Sequence, residues 1–414
     1  MNENQHIPSG YNPSPLGIIP EDWEVKRLGE IFTFKNGVNA GKDSYGEGVR
    51  FVNTMDVLNN EYITGKILRG RVAINEKTKN EFLVSFGDVL FNRTSETREE
   101  VGCSTVYLDN EDAVFGGFVI RARDIDTNIL KPRFKQYCFQ PSYIRNQISA
   151  LGNGAIRYNL GQEDLSKVNL LIPTKVEQEA IVSVISLWDT AIAKQTALIE
   201  KLTLRKRGLM QQLLTGKKRL KGFCGEWKEV RLGDVFDERN ETNCGNLPLL
   251  SITGDKGVIY QSESDKRDIS NEDKSKYKRI CPNDIGYNTM RMWQGRSALS
   301  GLEGIVSPAY TIVTPKNNID VRFMAMLIQL PRIVYSFWTH SQGLVSDTLN
   351  CKYPDFCQVK VVIPSKEEQT AVADFFVEID KEIELANKKL ARLQEQKKGL
   401  MQVLLTGKRR IKIN

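Results

Sequence analysis

The chain has 414 residues, 40% of them hydrophobic and 26% charged, with a net charge of +7 and a pI near 8.9. That apolar content can fill more than one core, and the length points to roughly two to four domains. No apolar run approaches the roughly 18 residues of a membrane span, the first fifteen residues have neither a basic nor an apolar leader region, and the seven scattered cysteines lack CxxC spacing, so a cytoplasmic protein with reduced thiols and no membrane association is expected.

In chain order, residues 1–19 read as an N-terminal tail. A first globular segment, 20–172, opens on Trp23 and RLGEIF (Arg27 to Phe32). It carries strand-like runs at Val49 to Val52, Val89 to Phe91, Ser104 to Leu108 and Phe118 to Arg121, between Gly- and Asn-rich turns, with two helical stretches around Pro141. Residues 173–222 follow as a spacer helix of about 40 residues, on the order of 60 Å at 1.5 Å per residue. A second globular segment, 223–363, reopens on Trp227 and RLGDVF (Arg231 to Phe236), and 364–414 give a second spacer helix with a basic C-terminal tail. The class is α+β, with two mixed α/β lobes and two long helices.

The chain is two copies of one unit. GLMQQLLTGKKR (Gly208 to Arg219) returns as GLMQVLLTGKRR (Gly399 to Arg410), with ten of twelve positions identical. Upstream, at the same offset of 191, Pro173, Lys175, Glu177, Gln178, Ala180, Asp189, Ile192 and Leu202 recur as Pro364, Lys366, Glu368, Gln369, Ala371, Asp380, Ile383 and Leu393. The openings of the segments agree at an offset of 204, so the first is longer by 13 residues. A duplicated unit predicts pseudo-two-fold symmetry and a target in two parts.

Steps of four and three from Ile181 give a seam of Ile181, Ile185, Trp188, Ile192, Gln195, Ile199, Leu202, Lys206, Leu209 and Leu213, eight of ten apolar. The second copy gives Val372, Phe376, Ile379, Ile383, Ala386, Leu390, Leu393, Lys397, Leu400 and Leu404, nine of ten apolar. Over about five heptads this is a coiled-coil stripe whose obvious partner is the other copy, with the matched Lys206 and Lys397 favouring one register. Gly216 and Gly407 read as C-caps, with cations placed against the negative helix end.

Charge is unevenly spread. Residues 201–221 hold eight Lys and Arg and no acid, and residues 388–412 hold nine against Glu395. These segments carry +16 together, which leaves −9 for the rest of the +7 chain. The lobes therefore need local Lys and Arg patches, not blanket attraction, to bind nucleic acid.

These residues resemble those of the specificity subunits of type I restriction-modification systems, the HsdS-like proteins, over essentially the whole length. The carrying motifs are IPEDWEVKRLGEI (Ile19 to Ile31), GEWKEVRLGDVF (Gly225 to Phe236), the IP-x(3)-EQ pairs (Ile172 to Gln178 and Ile363 to Gln369) and the two GLMQ-x-LLTGK endings. The resemblance implies two target-recognition domains joined by two antiparallel central helices that form a coiled coil. Each domain would read one half of a bipartite site in double-stranded DNA, while the helices set the spacing and dock the methyltransferase subunits. It also implies a non-catalytic chain without a cofactor of its own. S-adenosylmethionine would belong to the modification subunits, and ATP-driven translocation and cleavage to a restriction subunit.

The residues agree in what they lack. GVNAGKD (Gly37 to Asp43) has neither the spacing nor the final hydroxyl of a P-loop, and NPSP (Asn12 to Pro15) is not an adenine-flipping motif. His6 and His340 are the only histidines, which leaves little material for zinc or histidine-dependent catalysis, so no catalytic or metal site is assigned.

Major-groove edges are read by Arg or Lys at guanine and by Asn or Gln at adenine. In the first lobe FNRTSETR offers Asn92, Arg93, Thr94, Ser95 and Arg98, and GNGAIRYN offers Arg157 and Tyr158 with Asn153 and Asn159. The matching frame of the second offers Asn288, Arg291, Trp293, Gln294 and Arg296, and HSQG offers Ser341 and Gln342. The bland reading of each is a polar surface loop, and for Trp293 a core or platform residue. A stand-alone repressor-like DNA-binding protein and a protein adaptor that ignores DNA remain the alternatives, separable by whether the purified chain binds DNA without a methyltransferase.

Overall fold

The computed structural model describes residues 7–154, 156–254, 256–264, 268, 270–343 and 348–412. The chain forms two compact units, one from residues up to 195 together with 389 onward, the other from residues 196 to 388. The division falls inside the long helices, Lys175–Leu213 and Lys366–Leu404, each of 39 residues. Each unit therefore holds one lobe, the opening stretch of its own helix and the closing stretch of the other.

In the first unit a five-stranded sheet runs in the order Phe32–Asn36, Val119–Asp124, Val89–Asn92, Ser104–Tyr107, Tyr62–Ile63. Only the last strand pairs parallel to its neighbour. All four residues of the central Val89–Asn92 strand are buried, which is why its β-branched and aromatic letters run without alternation. The helices Lys135–Cys138 and Ser142–Leu151 meet at Pro141 and bring Tyr137, Cys138, Ile144 and Ile148 onto the same core. A second sheet joins Arg71–Val72, Tyr45–Val52, Ala113–Phe115 and Leu83–Val84. The segment ahead of residue 20 is more than a tail. Tyr11–Ser14 pairs with Gly17–Pro20 in a hairpin, Ile19 is buried, and the Tyr11 hydroxyl donates to Gly407 O at 3.0 Å.

The second unit repeats this plan. Its antiparallel sheet, Phe236–Arg239, Tyr310–Pro315, Ile285–Asn288, Ser297–Leu299, reproduces the first four strands in the same order. The strand that closes each lobe returns to the strand that opens it: Asn169–Ile172 on Glu24–Arg27, and Lys360–Ile363 on Lys228–Arg231. Leu28 N–H donates to Val168 O at 2.9 Å, and Leu232 N–H to Val359 O at 2.9 Å.

All twenty seam positions are buried or half-buried, whereas the off-seam Leu187, Leu198, Leu204 and Leu385 are exposed. In the first unit Ile181 and Ile185 share a core with Met401, Leu404 and Leu405, and in the second Leu213 and Leu214 share one with Val372, Phe376 and Ile379. The start of each helix thus meets the end of the other, an antiparallel coiled-coil pairing inside each unit. The seam lysines each find the aspartate of the opposite helix. Lys397 Nζ lies 2.5 Å from Asp189 and from Glu61, and Lys206 Nζ lies 2.5 Å from Asp380. A slip of one heptad would part each lysine from its aspartate, so the pairs hold the register.

The repeated letters at the helix ends follow from this closure. Gly407 (φ 70°) and Gly216 (φ 69°) turn the chain through the left-handed region after each helix. Both glycines pack on a tryptophan: a Cβ at Gly407 would come within 3.4 Å of Trp23, and one at Gly216 within 3.4 Å of Trp227. The arginine beyond the glycine then reaches the glutamate of the EQ pair in the opposite helix. Arg410 bonds Glu177 at 2.8 and 3.0 Å and Asp22 at 2.7 Å, and the carboxylates of Glu177 and Asp22 hold its guanidinium pKa above the ordinary arginine value. Arg219 Nε donates to Glu368 at 2.8 Å. The glutamines tie the helix start to the lobe. Gln178 Nε2 donates to Pro173 O while its Oε1 accepts from Lys131 N–H, and Gln369 does the same with Pro364 O and Asp320 N–H. Among the described residues no helix is long and apolar enough to cross a membrane.

Candidate nucleic-acid interface

In each lobe three chain segments are laced together around one residue. In the first, Arg93 N–H donates to Phe118 O at 2.8 Å and Arg93 O accepts from Leu160 N–H at 2.9 Å, which sets 92–95, 117–119 and 158–160 side by side. Thr94–Ser95 pairs with Tyr158–Asn159, and Asn153 and Asn159 exchange two backbone hydrogen bonds. In the second lobe, Thr289 N–H donates to Ala309 O at 3.2 Å, Thr289 O accepts from Cys351 N–H at 2.9 Å, and Gln342 and Asn350 exchange two backbone hydrogen bonds. The scaffold is the same and the side chains on it differ.

The first face brings the two predicted loops together but does not expose all of them. Asn92 is fully buried, its amide donating to Glu100 O at 3.1 Å, and Ser95 is 7% exposed with its hydroxyl on Glu100 Oε2 at 2.8 Å. Neither side chain can reach a base edge. They hold the 95–103 loop instead, and the Val89–Asn92 strand that ends on Asn92 is buried on both faces. Arg93 is half-buried with its guanidinium on Gly117 O at 3.2 Å, and Thr94 donates to Asn159 Oδ1 at 2.7 Å. Arg98 and Arg157 are exposed, and the Arg98 guanidinium lies 5.1 Å from the centre of the half-buried Tyr158 ring. Arg145, from the helix behind, donates to Glu99 O, Val101 O and Gly102 O and fixes the loop that carries Arg98.

In the second lobe Asn288, Arg291, Gln294 and Arg296 line one cleft of about 570 Å³ with Thr253, Lys256 and Tyr310. Three cations at one opening suit an anionic ligand, and Arg with Asn or Gln is the pairing that discriminates guanine from adenine. The remaining predicted residues are committed elsewhere. Trp293 Nε1 donates to Met290 O at 3.0 Å, Ser341 Oγ to Phe337 O at 2.7 Å, and Gln342 Nε2 to Asp355 Oδ1 at 2.9 Å. Thr253 and Lys256 come from the hairpin Leu250–Ile252 and Val258–Tyr260, which sequence reasoning passes over. The signal is present in SITGDKGVIY, where short apolar runs flank a Gly-rich turn bearing lysine. Among the described residues no group of three or more His, Cys, Asp or Glu could hold a metal ion.

Comparison with known proteins bears on both faces. Residues 20–204 and 225–395 each match the family described as the type I restriction modification DNA specificity domain. A Methanocaldococcus jannaschii protein assigned as the specificity subunit of type I restriction enzyme MjaX is 25% identical, with 97% of each chain covered. The MjaVIII specificity subunit of the same organism is 23% identical over 95% of this chain and 94% of its own. A solved chain from work on complex assembly and conformational transition of the type I R-M system shares the fold, with a TM-score of 0.60 at 16% identity over 94% of this chain and 99% of that one.

Proposed function

The chain belongs to the type I restriction-modification DNA specificity family, and on that premise we propose that it reads a bipartite site in double-stranded DNA without doing chemistry itself. One half-site is read by the face around Arg93, Arg98 and Arg157, the other by the cleft around Arg291, Gln294 and Arg296. The long helices set the interval between the half-sites and dock methyltransferase subunits, which hold S-adenosylmethionine. A restriction subunit with its ATP completes the cleaving form, and the whole works in the cytoplasm. What supports this reading is the shared backbone scaffold with different side chains on it, the design expected when one module is duplicated to read two sequences.

The test is to express the chain with its methyltransferase and map methylated adenines by long-read sequencing. Arg93→Ala should relax one half-site and Arg291→Ala the other, by about 1–3 kcal/mol for each lost contact to a guanine edge. Unchanged half-sites in both variants would remove these faces from recognition.

A further inference from the structure

Phe118 is 60% exposed, at the turn between Ala113–Phe115 and Val119–Asp124. Other large apolar side chains are also exposed, Phe86 at 52% among them, and single exposures of this kind need no explanation. Two observations set Phe118 apart. Its carbonyl receives the Arg93 N–H, and the neighbouring Gly117 carbonyl receives the Arg93 guanidinium, so Phe118 sits on the backbone that Arg93 holds at the centre of the first face. At the matching point of the second lobe, where Ala309 O receives the Thr289 N–H, the exposed side chain is a single methyl. The backbone keeps the position and the lobes differ in what they place there.

On a DNA duplex an aromatic ring gains by covering apolar surface and loses by covering donors or acceptors left without partners. Among major-groove edges the 5-methyl group of thymine is the apolar one; the rest are hydrogen-bonding groups. We propose that Phe118 is a specificity-determining residue of the first lobe, its ring packing on the methyl group of a thymine in that lobe's half-site. This rests on the DNA-recognition reading above. Ala309 makes no equivalent contact, so the second half-site has no such requirement at the corresponding position.

The experiment uses the chain assembled with its methyltransferase. The half-site that Arg291→Ala leaves intact is the first lobe's, and each thymine in it is replaced in turn by uracil, which removes only the methyl group. Wild type should lose affinity at one position by about fourfold, the worth of one buried methyl. Phe118→Ala should bind the thymine duplex correspondingly more weakly and be indifferent to uracil there, while Phe86→Ala behaves as wild type. Equal uracil penalties in wild type and Phe118→Ala, no penalty at any position, or a half-site without thymine overturns the proposal. A weakened Phe118→Ala complex that ignores uracil but has lost a DNA bend also overturns it, in favour of a wedge between base steps. An assembled wild type with no sequence preference at all would instead sink the reading on which the proposal rests.

Discussion

Glu177 and Glu368 stand 191 residues apart at the same point of the repeat, and each carboxylate is about 2% exposed, but they are held differently. Glu177 accepts from Arg410 and from the Trp23 indole N–H at 2.7 Å, and Arg410 also reaches Asp22. Glu368 accepts from Arg219 alone of the matching groups, the buried Trp227 indole N–H has no partner among the described residues, and Glu226, which stands where Asp22 does, is exposed. The same letters close both helix pairs, and the first closure is the more completely hydrogen-bonded. The repeat thus preserves the carboxylate and guanidinium each closure requires, and leaves the surrounding donors free to drift.

That contrast predicts the largest effect. Glu177→Ala orphans two donors and should cost the first unit about 3 kcal/mol, as expected for removing one partner of a buried pair. Glu368→Ala takes the carboxylate from Arg219 alone, which keeps Gly225 O, and about 2 kcal/mol is expected. Urea denaturation of the purified variants measures both. Equal losses, or a larger one at Glu368, would show that the extra partners of Glu177 contribute nothing.

The seam lysines sharpen the same contrast at a smaller scale. Lys397 has an 11% exposed side chain between Asp189 and Glu61, 5.7 Å from the Tyr137 ring, whose hydroxyl also donates to Asp189. Burial pulls its pKa down, but the two carboxylates outweigh burial and hold the ammonium above the ordinary lysine value. Among the described residues Lys206 pairs with Asp380 alone, itself 55% exposed. Lys397→Met should therefore cost about 2 kcal/mol by leaving two carboxylates uncompensated, whereas Lys206→Met should fall within about 0.5 kcal/mol of wild type, as exposed pairs do. A costly Lys206→Met would mean that both lysines set the register equally.

Much of this was legible because it is local and periodic. Duplicated letters, a five-heptad stripe and the Gly and Pro punctuation need only one dimension to be seen. The spans and the facing of the helices follow from them. Direction was harder. Val89–Asn92 is buried on both faces, so no alternation reveals that Asn92 points inward, and Ser95 follows it into the loop anchored by Glu100. Phe118 reads as the start of a strand, whereas the strand begins at Val119 and leaves the ring outside. The hairpin ahead of residue 20 has four-residue strands and a proline at position 13, too short for any period to register. Nor can composition tell that each unit takes its helical wall from both copies, because that depends on which helix ends meet.

A smaller loss than those at Glu177, Glu368 and Lys397 separates the aromatics of the two faces. Phe118 has no side-chain polar atom and is 60% exposed, whereas Trp293 is half-buried and gives its indole N–H to Met290 O three residues back. That bond staples the Met292–Gln294 turn to the residue two before it, beside the cleft that Arg291 and Gln294 line. Trp293→Phe keeps an aromatic ring but loses the bond and part of the indole's contact area, so about 1 kcal/mol of local stability should go with the recognised sequence unchanged. Adenine-methylation mapping together with a thermal melt reads both quantities. A shifted second half-site at unchanged stability would make Trp293 a reader of bases, the role we propose for the arginines beside it, and the division between exposed and anchored aromatics would fail.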